Sequence, residues 1–189
     1  IFYSMENGVL GTGGALKDAE ALLKGKFIML NGDTLMDVDF KKLDEDGFNN
    51  DITTTSLIEP NRKIKAQIVA RAAGIVAGIE EISYFFEKEN VKVINKIKDC
   101  SAVKNEDIVL AIEGDARKIL TFERTVLNIL QRMSGIATMT HNLKNKINNE
   151  NCFVAGTRKA LSLLDKRAIS VGGGLTHRLN LEDGILIKD

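Results

Sequence analysis

The sequence predicts a mixed α/β and α+β protein, and three observations carry that prediction. Over Ile64–Arg71 the residues Ile64, Ala66, Ile68 and Ala70 alternate with Lys65, Gln67, Val69 and Arg71, the period-two signature of a half-buried strand. From Thr121 to Ile147 the longest helical pattern places Val126, Leu127, Leu130, Met133 and Ile136 on one stripe, as an amphipathic helix requires. From Cys152 to Ile187 short apolar runs alternate in β/α fashion, the order of a parallel sheet or barrel.

Taken in order, Ala15, Leu16, Ala19, Leu22 and Leu23 mark a helix from Gly14 to Lys24 that Gly25 ends. Phe27–Leu30 is a fully apolar strand running into Asn31-Gly32-Asp33, which makes half of a βαβ unit. The polar run from Asp44 to Asn50 marks a boundary. After the strand at 64–71, Ile79–Lys88 reads as a helix, Val91–Ile97 and Ile108–Ile112 as strands, and Gly114-Asp115 as a turn. The long helix from Thr121 follows, with Ser134-Gly135 a candidate kink. Beyond it come a strand at 152–155, a helix at Leu161–Lys166, a strand at Arg167–Val171 and a strand at Gly184–Ile187. A barrel needs about eight strands, so the expected barrel is incomplete. The chain starts at Ile1 and stops within a strand-like run at Asp189, and it is expected to be part of something longer.

Lys+Arg and Asp+Glu both number 26, for a formal net charge of zero, so no global field points to nucleic acid or an anionic membrane. Cys100 and Cys152 are isolated and lack metal-ligand spacing; reduced thiols in the cytoplasm are the expectation. No apolar run approaches the length of a membrane span, and neither a signal peptide nor an internal repeat is expected. Anion binding would have to come from local clustering. Thr157-Arg158-Lys159, His177-Arg178 and Lys188-Asp189 each end a strand-like segment on a cation, and Gly172-Gly173-Gly174 offers bare backbone amides between them. Such groups at the ends of parallel strands suit a small-molecule anion site. Solvated loop charges are the other reading of the same residues.

Residues from about 44 to 189 resemble the nicotinate-nucleotide pyrophosphorylases, also called quinolinate phosphoribosyltransferases. The resemblance rests on Asn50-Asp51-Ile52-Thr53-Thr54, Gly74-Ile75-Val76-Ala77-Gly78, Glu123-Arg124-Thr125-Val126-Leu127-Asn128, Ser134-Gly135-Ile136-Ala137-Thr138, Thr157-Arg158-Lys159, Gly172-Gly173-Gly174, His177-Arg178 and Leu186-Ile187-Lys188-Asp189, all in the family's order. It implies an open α/β sandwich over 44–118, then a long helix and the first units of a truncated α/β barrel over 119–189, working as a homodimer or higher homo-oligomer. It also implies an enzyme of NAD biosynthesis that makes nicotinate mononucleotide, pyrophosphate and CO2 from quinolinate and phosphoribosyl pyrophosphate, with Mg2+ accompanying the latter. By position, Arg158, Arg178 and Lys159 would grip the substrate carboxylates, as guanidinium forks do, and His177 and Lys188 would make further contacts. Arg124 would reach into the neighbouring subunit's site; taken alone, Glu123-Arg124 reads as a surface pair. Two departures stand out. Gly156 replaces an Asp of the family pattern, and Ala160-Leu161-Ser162 replaces a longer loop containing Pro, Gly and Arg.

Residues 1–43 resemble a different family, the sugar-phosphate nucleotidyltransferases, through Leu10-Gly11-Thr12-Gly13-Gly14-Ala15-Leu16-Lys17, Leu30-Asn31-Gly32-Asp33-Thr34 and Asp37-Val38-Asp39. This implies a partial, Rossmann-like βα segment in which Asp33 would bind a metal. Three readings therefore stand: a quinolinate phosphoribosyltransferase-like enzyme, a sugar-1-phosphate nucleotidyltransferase fragment, and a truncated, non-catalytic chain. Under the first, the 189 residues alone are expected to show little or no turnover, because the groups for the phosphoribosyl donor should lie on later strands.

Overall fold

A computed structural model of the chain describes residues 51–147, 152–157, 160 and 162–176, all within one unit spanning Asp37–His177. The helix expected at 14–24, the strand at 27–30, the strand at 184–187 and the 1–43 segment with Asp33 lie outside the described residues.

Asp51 opens the first helix, α1 (Ile52–Leu57), its carboxylate accepting from the Thr54 amide at 2.8 Å. Hydrogen bonds from the Thr54 side chain and amide hold Asp51 below the ordinary carboxylate range. The strand β1 (Lys63–Val69) follows, with its exposure alternating as the sequence predicts. Next come the short β2 (Gly74–Ile75) and α2 (Ile79–Lys88), then β3 (Lys92–Lys96), β4 (Ala102–Val103) and β5 (Ile108–Asp115). β5 is central in an antiparallel three-stranded sheet of order β1-β5-β3, and β2 pairs with β4 separately. The centre of β5 is buried at Val109, Leu110, Ala111 and Ile112, which fits a strand flanked on both sides.

Gly114-Asp115 is not a turn. Both residues lie in β5, paired with Ile64 and Lys63, because the strand passes straight into the long helix. A side chain at Gly114 would press on Val91, 3.1–3.2 Å away, so close approach explains the glycine. The long helix α3 spans Ala116–Ile147 and runs through Ser134-Gly135 without a break. It starts five residues before the expected Thr121, because the Asp115 carboxylate accepts from the Lys118 amide at 3.1 Å and caps it. Arg117 ties the new start back to the Ile58 and Thr55 carbonyls, and Lys118 Nζ reaches Glu89 O at the end of α2.

The core lies where α2 and α3 meet the sheet. Ile79, Ile82, Phe85 and Phe86 from α2 and Ile119, Phe122, Val126, Leu130 and Met133 from α3 are buried. Phe85 and Phe122 meet edge-to-face at 4.9 Å, a geometry aromatic rings prefer.

After α3 the expected helix-then-strand of 161–171 is a single helix, α4 (Leu163–Val171). Its apolar residues Leu164, Ala168 and Val171 are buried at i, i+4 and i+7, so tertiary packing chose the helical period over the expected β/α alternation. Ser162 caps it, its hydroxyl accepting from the Asp165 amide at 3.3 Å. The strand expected at 152–155 reduces, among the described residues, to one parallel bridge, Ala155 to Leu175. The fold is thus mixed α/β, and among the described residues no helix is long and apolar enough to cross a membrane.

Candidate functional site

Two sequence motifs that lie far apart become one structural joint. Ser134 Oγ accepts from the Ala77 amide at 3.1 Å and Thr138 Oγ1 from the Ile75 amide at 2.8 Å. Their i, i+4 spacing puts both hydroxyls on one face of α3, so the helix takes the Ile75 and Ala77 amides while the intervening Val76 amide bonds to Ser101 O.

Beside this joint lies a groove of about 530 Å³ lined by Ile68–Val76, Val103 and Val109 and by α3 residues that include Leu127, Gln131, Thr138 and Met139. It is apolar, and its one charged lining residue among those described, Arg71, faces Glu106 at 3.9 Å. A dianion is therefore not its natural occupant. Arg124 is exposed on α3, one turn before the groove's end at Leu127 and on the same helix face as Leu127 and Gln131.

Two segments leading toward the expected anion-site residues are described. Val154–Thr157 and Leu175–Thr176 run parallel, fixed by Gly156 N–H to Leu175 O and by Leu175 N–H to Val154 O, both 2.8 Å. Arg158 follows Ala155 by three residues in sequence, and Arg178 follows Leu175 by three. Arg158, Lys159, His177, Arg178 and Lys188 themselves lie outside the described residues. The glycine run does not offer free amides: the N–H groups of Gly172, Gly173 and Gly174 donate to Ala168, Ser170 and Ile169 carbonyls at 2.9–3.0 Å. These bonds close the C-terminus of α4, so the run is a helix stop packed on α3 rather than an anion cradle.

Two arginine–carboxylate contacts, absent from the expected site, hold α4 in place. Arg132 of α3 grips both oxygens of Asp165 at 2.7 and 2.8 Å. The Asp165 side chain is 6% exposed, and its hydrogen bond and charge raise the Arg132 pKa further above its ordinary value. Arg167 of α4 reaches Glu81 of α2 at 3.2 Å and Asp99, in the loop before β4, at 3.7 Å. Sequence gave no signal for either contact, since the partners are 33 and 86 residues apart in the hydrogen-bonded pairs. Among the described residues no group of three or more His, Cys, Asp or Glu could hold a metal, and both cysteines are free and exposed.

Comparison with known proteins accounts for the arrangement. Residues 51–134 match the quinolinate phosphoribosyl transferase N-terminal domain and residues 136–189 its C-terminal domain, the two matches meeting within α3. The chain is 46% identical over 154 residues to a Methanocaldococcus jannaschii protein named probable nicotinate-nucleotide pyrophosphorylase (carboxylating), covering 79% of this chain and 54% of the relative. With the Bacillus subtilis protein of the same name it shares 39% over 150 residues, 77% of this chain and 52% of the relative. Among solved structures, NadC from Streptococcus pyogenes superposes with a TM-score of 0.67 at 36% identity, covering 74% of this chain and 52% of that one. The nicotinate-nucleotide pyrophosphorylase from Ehrlichia chaffeensis does so with a TM-score of 0.69 at 32% identity, covering 86% and 60%. The chain thus spans about half the length of the curated relatives it matches. Two consecutive domain matches, over 51–134 and 136–189, together with a relative 46% identical over 154 residues, place the chain in the quinolinate phosphoribosyltransferase family.

Proposed function

We propose that the protein acts as a nicotinate-nucleotide pyrophosphorylase: quinolinate nitrogen attacks the anomeric carbon of phosphoribosyl pyrophosphate, pyrophosphate leaves, and loss of one ring carboxylate as CO2 gives nicotinate mononucleotide. The observation that carries this reading is the parallel bridge between Ala155 and Leu175. It sets side by side the two segments that lead in sequence into Thr157-Arg158-Lys159 and His177-Arg178. Arg158, Lys159 and Arg178 would bind the two adjacent carboxylates as paired forks and a point charge, and His177 and Lys188 would complete the pocket. Fixed cations orient the ring nitrogen for attack and stabilise the charge that develops on the ring as the carboxylate departs. Arg124, exposed on α3, would serve the neighbouring subunit of a homodimer.

The finer architecture belongs to the same reading: a sandwich over 44–118, the opening of an incomplete α/β barrel over 119–189, a nucleotidyltransferase-like segment over 1–43, and residence in the cytoplasm. Mg2+ would travel with the pyrophosphate donor. Among the described residues no group of three or more His, Cys, Asp or Glu could hold it.

The test is formation of nicotinate mononucleotide from quinolinate and phosphoribosyl pyrophosphate by the protein expressed from its complete gene. Turnover that requires quinolinate and is lost in Arg158→Ala supports the reading. Turnover with a monocarboxylate pyridine instead, or equal turnover by Arg158→Ala, overturns it.

A further inference from the structure

Arg167 differs from Arg132 in how its guanidinium is used. Both present the edge made by Nε and Nη2. Arg132 gives that edge to the two oxygens of one carboxylate, whereas Arg167 divides it between Glu81 Oε1 at 3.2 Å and Asp99 Oδ2 at 3.7 Å. The longer leg exceeds hydrogen-bond length. Glu81 and Asp99 fall in the segment matched by the family's N-terminal domain and Arg167 in that matched by the C-terminal domain. The cluster therefore joins the two.

Its charge does not balance. Two carboxylates, with side chains 14% and 10% exposed, face one guanidinium. Among the described residues Glu81 Oε2 and Asp99 Oδ2 are both buried without a hydrogen-bond partner, and Asp99 Oδ1 is already taken by the Ile79 amide at 2.9 Å. The other charged groups on the elements packed here do not relieve this. Glu80 on α2 is paired with Lys96 of β3 at 2.5 Å, Arg132 and Asp165 satisfy each other, and Lys98 and Lys166 adjoin Asp99 and Arg167 in sequence without donating to either orphaned oxygen. Burial raises the Asp99 pKa above the ordinary 3.8; the Ile79 hydrogen bond and the Arg167 charge oppose the rise, and the Glu81 and Glu80 charges add to it.

We propose that Glu81, Asp99 and Arg167 form a proton-binding clasp between the two domains, in which one proton taken from solvent by Asp99 supplies the missing donor and tightens the seat of α4. The sign follows from linkage. The folded state holds this proton more firmly than the unfolded chain, so the stabilisation is full below the ordinary pKa of 3.8 and is lost as pH rises through the raised value of Asp99.

Asp99→Asn makes the protonated state permanent: it keeps an oxygen for Ile79 and presents an N–H donor at any pH. Urea unfolding of the chain and of D99N, from about pH 4 to about pH 8, should show the ratio of folding constants moving in favour of D99N as pH rises. The slope is up to about tenfold per pH unit through the acid range before levelling off. Amide exchange in α4 at neutral pH should be slower in D99N by the same factor. A ratio that stays flat, or that moves against D99N, overturns the clasp. If D99N does not fold, E81Q neutralises the partner carboxylate and must show the same trend; a flat E81Q ratio is equally decisive against it.

Discussion

Gly172→Ala isolates the fit of α4 against α3. A Cβ at this position would lie 2.4 Å from Ala137 O, 2.7 Å from Thr140 Cβ and 3.0 Å from Ala137 Cα. Ordinary carbon–oxygen contacts begin near about 3.3 Å, so the two backbones must part by roughly 0.9 Å. Ala137 is fully buried and Thr140 nearly so, and no flexible side chain is available to yield. Overpacking of this kind costs about 1–3 kcal/mol, and the upper end applies because backbone atoms collide. Gly172 itself has φ −72° and ψ 0°, which alanine adopts freely, so the loss of unfolded-state entropy returns about 0.4–1 kcal/mol. The net expectation is a destabilisation of about 2 kcal/mol, a fall in Tm of roughly 4–8 °C for a chain of this size. Gly135→Ala is the control: nothing lies within 4 Å of its added Cβ, and alanine in a helix interior gains about 1 kcal/mol over glycine. Thermal and urea unfolding of both variants should give shifts of opposite sign. A G172A protein as stable as its parent would refute the close approach of α4 to α3.

Three further outcomes are expected. Arg132→Ala leaves the buried Asp165 carboxylate without its fork and should cost about 2–3 kcal/mol in urea unfolding at neutral pH. Arg132→Lys should fall between it and the parent, since an ammonium cannot make both contacts; a Lys variant equal to the parent counts against the two-point grip. Thr138→Val removes the acceptor for the Ile75 amide while keeping shape and should cost about 1–2 kcal/mol, with Thr138→Ser retaining most of the stability. If valine is neutral, the joint between α3 and β2 contributes nothing. Arg124→Ala should raise the KM for quinolinate about tenfold or more, as loss of a charge-assisted hydrogen bond does, with stability within about 0.5 kcal/mol of the parent. An unchanged KM would remove Arg124 from the proposed site.

Period made much of the first domain legible. The helix at Ile79–Lys88 has the expected bounds, and the expected strands at 64–71, 91–97 and 108–112 correspond to β1, β3 and β5 with small changes at their ends. In β1 and the helix the apolar repeat reports which face is buried, whereas the centre of β5 is buried on both faces. The same logic failed where a residue's partner is remote. Gly114 reads as a turn residue until Val91 is seen against it. Arg167–Val171 reads as a strand until Ala168 and Val171 are seen buried. The glycine run reads as an anion cradle until its amides are found closing α4. The motif words for the family, and the candidate cations within them, stand in the sequence in plain order because they are local. By itself the sequence determined the strand and helix periods, the charge balance and the family's motif words, since each is a property of neighbouring residues. The tertiary structure alone decided the helix at Leu163–Val171, the Arg132–Asp165 grip and the Glu81–Asp99–Arg167 cluster, because long-range packing and desolvation act between residues whose separation along the chain carries no information about their distance in space.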